Sequence, residues 1–94
     1  MPTKEVFISR MEADLKEMSA KIGRLRARCE ESDPEKRSIF ENDIEGLQQK
    51  YGEAAKSIEE LKDADDHEWE DFKEGCEKLV RDLQETLNHA LANI

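Results

Sequence analysis

Few residues in this chain have chemistry to offer, and they are widely spaced. His67, Glu70 and Asp71 stand at i, i+3 and i+4, which would put one imidazole and two carboxylates on a single helix face. Glu85 and His89 form a second pair at i, i+4. A di-metal site in a helical bundle needs Glu-x-x-His on two helices and further glutamates facing inward, and the chain has no such pair. Both clusters therefore read as solvated helix surface, and no metal or other cofactor is expected. The serines have no histidine partnered with them in a recognisable pattern. Nucleophile-elbow, dinucleotide, P-loop and H-E-x-x-H signatures are all absent. Catalytic groups concentrate on loops, and this sequence leaves almost none, so the chain is expected not to be an enzyme.

The elements that would have to position these groups follow from hydrophobic spacing. Ile8, Met11, Leu15, Met18, Ile22, Leu25 and Cys29 recur at alternating steps of three and four, an unbroken a/d heptad row. Phe40, Ile44, Leu47, Tyr51, Ala54, Ile58 and Leu61 form a second row. Phe72, Cys76, Leu79, Leu83, Leu87, Ala90 and Ile94 form a third. Between the first two lies ESDPEK, where Ser32 or Asp33 can cap a helix that opens on Pro34, because proline costs nothing at the first helical position. Between the last two, the step from Leu61 to Phe72 breaks the register at KDADDHEW. A strict heptad there would bury Asp65 and Glu68. Asp65 can cap a third helix, with Glu68 completing a capping box.

These signals predict an all-α fold of one domain, residues 1–94. It is an antiparallel helical coiled coil, an up-down-up three-helix bundle with helices at about 3–31, 34–63 and 66–92. At 1.5 Å per residue the rod would be about 40–45 Å long. The alternative is a two-helix hairpin whose C-terminal helix runs unbroken through 63–68 and oligomerises through its overhang. Phe7, Ala20, Ile39, Ala55, Val80 and Leu91 widen the apolar stripe, as suits helices that touch two neighbours. Trp69, the single tryptophan, stands in the acidic stretch HEWEDFKEG. It is expected to anchor the second junction by packing beside Leu61 and Phe72, with the acidic neighbours favouring the helix N-terminus.

Cys29 and Cys76 fall on seam positions and should behave as small buried hydrophobes. In the three-helix arrangement they lie roughly 25 Å apart along the axis, out of disulfide reach. Gly23, Gly46, Gly52 and Gly75 fall inside helices, where each costs about 0.5–1 kcal/mol relative to alanine. Close helix approach and local flexing are both open explanations.

Charge narrows the choice of partners. Of 94 residues, 24 are acidic and 15 are Lys or Arg, for a net charge of −9. Nucleic acid and anionic membrane surfaces repel such a chain. The charge is graded: residues 1–31 sum to +1, 32–64 to −4 and 65–94 to −6. The run KIGRLRAR supplies the one cationic patch, Lys21, Arg24, Arg26 and Arg28, and is the candidate interaction surface. In the three-helix arrangement it lies at the opposite end from the acidic stretch 63–71, a polarity that favours antiparallel or end-to-end association. The N-terminal stretch shows no apolar signal region and no run approaches membrane-spanning length, so a soluble, cytoplasmic protein is expected.

The stretch WEDFKEGCEKLVRDLQETL, residues 69–87, resembles the C-terminal signature of a family of small bacterial coiled-coil stress-response proteins, related to a cyanobacterial protein induced by salt and light stress. Members typically read Trp-Glu-Asp-Leu-Lys, then a small residue, glycine, an apolar residue and a further leucine-containing turn. Trp69, Glu70, Asp71, Lys73, Gly75 and Leu83 match, with Phe72 and Cys76 as apolar replacements. LQQKYGEAAKSIEELK, residues 47–62, is similar to the family's long charged helix. The resemblance covers about half the chain. Val80 stands where many members carry a second tryptophan, and Pro34 sharpens a boundary that is softer in the family. The resemblance implies a helical stress-associated protein and supplies no mechanism.

The expected function is thus non-enzymatic: a structural or interaction protein that self-associates, as a dimer or higher, or binds another helical protein. The alternative is an amphipathic protein of the lipid or membrane interface, which the acidic helices disfavour.

Overall fold

In the computed structural model, which describes residues 3–93, helix α1 (Lys4–Glu31) begins where Thr3 turns out of extended backbone. The Thr3 hydroxyl accepts the Val6 N–H at 3.2 Å, satisfying one of the donors a helix start leaves free. The helix stops at Glu31 because Ser32 and Asp33 are extended, with ψ of 160° and 152°. A following proline keeps Asp33 out of the α region.

Helix α2 (Pro34–Asp63) then starts on the proline itself. Asp33 occupies its N-cap position, but the carboxylate makes no capping hydrogen bond. Its backbone carbonyl accepts the Arg37 N–H at 2.8 Å, the ordinary first bond of the helix, so the expected side-chain cap is not formed.

The second junction is a built turn, which excludes the continuous-helix alternative. Ala64 is buried and extended (φ −76°, ψ 146°). The Asp65 carboxylate accepts the N–H of His67 at 2.9 Å and of Glu68 at 2.8 Å. Its carbonyl accepts the Trp69 N–H at 3.0 Å. Asp66 and His67 are spent in this turn, so α3 (Glu68–Ala92) starts two residues later than the spacing suggests. The Glu68 side chain gives no bond back to Asp65, so only one half of the expected capping box is present.

The three helices pack pairwise, α2 against both others and α1 less closely against α3. The result is an all-α three-helix bundle of 51 × 17 × 16 Å with no strand among the described residues. One end gathers the start of α1, the end of α2 and the start of α3. No helix of the described residues is long and apolar enough to cross a membrane.

The core is the seam of each helix. Leu25, Leu47, Leu61, Leu83 and Leu87 are almost wholly buried, and burying a side chain of this kind contributes roughly 1.5–3 kcal/mol. Three expectations fail here. Phe72 is 48% exposed, Ile39 is 63% exposed and Ala20 faces solvent. In α3 the buried arc runs through Trp69, Cys76, Val80, Leu83 and Leu87. Phe72 lies roughly 50° from the centre of that arc at 3.6 residues per turn, so it reaches only the edge of the seam. Ile39 lies in the first ten residues of α2, none of which is buried. The seam position Ile94 lies outside the described residues.

Candidate functional site

At the acidic end Trp69 and Leu61 are both buried, while Phe72 is not, so Phe72 is no part of the junction core. Its place beside the indole is taken by Phe7 from α1, with ring centroids 6.1 Å apart and planes tilted by 44°. Lys73 lies over both rings, its ammonium 5.6 Å from the Phe7 centroid and 5.8 Å from that of Trp69. Its aliphatic stem covers apolar surface while the charge stays wet. Phe7 was legible only as an extra apolar position, because its partner is sixty residues away in sequence.

Each helix–helix junction is also closed by a cation that sequence spacing does not reveal. Lys4 donates its Nζ hydrogens to the carbonyls of Lys62, at 3.0 Å, and Ala64. At the other end Arg37 donates to the carbonyls of Glu30 at 3.2 Å and Ser32 at 3.3 Å. Both satisfy carbonyls that a helix C-terminus leaves free, where positive charge is favoured. Lys62 bridges α2 to α1 by pairing with Glu59 at 3.1 Å and Glu12 at 3.2 Å. These hydrogen bonds, Glu59 first and then Glu12, hold its pKa above the ordinary lysine value.

The basic patch sits at the far end of α1. Lys21 pairs with Glu17 at 3.6 Å. Arg24, Arg26 and Arg28 are exposed and, among the described residues, make no ion pair. Arg28 and Lys36 flank a hollow of about 520 Å³ whose apolar wall is Ile39 and Phe40. At the opposite end Asp63, Asp65, Asp66, Glu68, Glu70 and Asp71 are all exposed. Along the 51 Å rod the exposed arginines of α1 lie far from that acidic junction, and Glu30, Glu31, Asp33, Glu35, Glu41 and Asp43 are exposed at the arginines' own end.

His67, Glu70 and Asp71 share the exposed first turn of α3, and Glu85 and His89 are exposed further along it. Among the described residues no three His, Cys, Asp or Glu side chains converge as a metal site would require. Cys29 and Cys76 are buried free thiols. Cys29 lies 3.6 Å from the Arg37 carbonyl, to which its thiol donates. Burial pushes the Cys76 thiol above its ordinary pKa, with a hydrogen bond to Ser57 partly offsetting the rise.

The class that this architecture defines is a small antiparallel three-helix bundle with an acidic surface. In comparisons with family models, curated proteins and solved structures, none matches the chain.

Proposed function

We propose that this chain is a non-enzymatic interaction protein, a helical bundle that associates with copies of itself, in the cytoplasm and in a stress-response setting. The observation that carries the reading is a local separation of charge: Arg24, Arg26 and Arg28 stand exposed on α1 with no ion pair among the described residues, and the acidic cluster 63–71 is exposed at the other end. In such a molecule, antiparallel or staggered neighbours bring opposite charge together, whereas parallel neighbours oppose like charge. The stress-response setting rests on the resemblance of residues 69–87 alone.

The test is the mass in solution by light scattering, under reducing conditions, at two salt concentrations. A mass of two or more chains at low salt, falling as salt is raised, is the expected result, since exposed charges are screened within about 10 Å at 0.1 M. A single-chain mass at low salt and high protein concentration overturns the reading. A larger mass indifferent to salt would replace charge with apolar contact as the driving force.

A further inference from the structure

The two helix junctions are built alike but are not locked alike. At the first, Ser32 and Asp33 are extended and Pro34 follows. Proline has no N–H to give a continuing helix, and its ring clashes with the carbonyl four residues back. It also holds the residue before it out of the α region, so this junction cannot straighten. At the second, Ala64 is extended, Asp65 follows, and Asp66 stands where the first junction has its proline. No glycine or proline lies between residues 53 and 74, and no described residue has a positive φ. His67 is already in the α region (φ −88°, ψ −41°), and Ala64, with φ −76°, reaches it by rotation of ψ alone. The turn is held by a small set of polar contacts. The Asp65 carboxylate takes the N–H groups of His67 and Glu68, and Lys4 takes the carbonyls of Lys62 and Ala64. In a straight helix each of those backbone groups would find its partner within the ladder.

We infer that the turn from Ala64 to His67 is a hinge, and that by opening it two copies exchange α3. In the exchanged pair α2 and α3 of each chain run on as one helix, and each α1–α2 hairpin receives the α3 of the other chain. Packing, not charge, selects a second copy as the occupant. The surface that takes up the partner's α3 is the one that holds α3 in the single bundle, where Trp69, Cys76, Val80, Leu83 and Leu87 are buried. The partner's α3 presents those same residues, so the pair restores this core and differs from two separate bundles only at the hinges. A two-fold axis at the hinges closes the dimer, which sets two bundles end to end at roughly twice the 51 Å of one. The single bundle, with its turn formed, is the favoured state of a dilute chain, because exchange costs the freedom of a second molecule. Asp65, Asp66, Glu68, Glu70 and Asp71 favour it too, since they stand where a helix start prefers negative charge. The exchange is independent of the charge-driven association proposed above, in which intact bundles meet. Its response to salt is opposite: each chain carries −9, and screening that repulsion favours the pair.

The experiment unfolds full-length wild type in urea at high protein concentration under reducing conditions and refolds it at high salt. Mass is then read by size exclusion with light scattering. The expected result is a two-chain species that persists on dilution, because leaving it requires the bundle to open. Asp66→Pro gives the second junction the residue that locks the first, at the first position of a helix capped by Asp65, where proline is tolerated. This variant should keep the wild-type helix content by circular dichroism and lose the two-chain species. Asp65→Ala removes the cap, and should raise the exchanged-to-single ratio by roughly twentyfold, about fivefold at each of two hinges. Wild type that refolds only to single chains overturns the hinge. So does an Asp66→Pro that forms the two-chain species as readily as wild type, or an Asp65→Ala that leaves the ratio unchanged. A two-chain mass seen only at low salt and without unfolding belongs to the charge-driven association, and it overturns the exchange as well.

Discussion

Trp69 and Phe72 stand three residues apart on one helix and have opposite fates. Trp69 is 8% exposed and packs on Phe7, whereas Phe72 is half in water. Trp69→Ala should therefore cost about 3–5 kcal/mol, while Phe72→Ala stays within about 0.5 kcal/mol; urea unfolding followed by circular dichroism separates them, and equal costs would contradict this packing. Cys76 makes a prediction in pH. Burial keeps its thiol neutral in the folded bundle to higher pH than in the unfolded chain, so on raising the pH the unfolded chain loses this proton first. The stability tied to the thiol is complete below the unfolded pKa and drains away as pH climbs through the folded one. The urea midpoint of wild type should fall faster between pH 8.5 and pH 10.5, chosen to span roughly the thiol range, than that of Cys76→Ala. Parallel curves would show that the thiol is not held neutral.

The helices are weaker than their packing requires. A Cβ added at Gly23, Gly46, Gly52 or Gly75 would meet nothing within 4 Å, and no glycine has a positive φ. Close helix approach within the bundle is therefore excluded as their reason. Each should gain about 0.5–1 kcal/mol on replacement by alanine. The fourfold variant should melt higher by about 8 °C or more, at about 4–8 °C per kcal/mol for a domain of this size. The junctions depend less on propensity. Pro34 and the Asp65 carboxylate set where the helices turn, and Arg37 and Lys4 secure the carbonyls they leave behind.

At the scale of the whole molecule, a net negative charge acts against the ion pairs. The net charge is −9, and among the described residues the pairs linking different helices are Lys50 to Asp82 and Lys62 to Glu12, all partly exposed. Exposed pairs contribute at most about 1 kcal/mol each. Added salt should therefore raise the melting temperature by screening repulsion, even as it weakens association between copies. A melting temperature that falls with salt at a concentration where the chain is a single copy would mean that ion pairs hold the bundle.

The sequence by itself determined the helical class, the seam of α1, most of that of α2 and both break points, because an amphipathic stripe, a proline and an acidic cap act within a few residues of themselves. It also determined the charge gradient, which is a property of order along the chain. It did not determine which way α3 is rotated. That depends on two neighbours at once, and in the bundle it sends Phe72 outward while Phe7, from the other end of the chain, closes over Trp69. Nor could spacing reveal Lys4 on the end of α2 or the hollow between Leu15 and Tyr51. These join residues of different helices, and only the packing of one helix against the next brings such residues within reach.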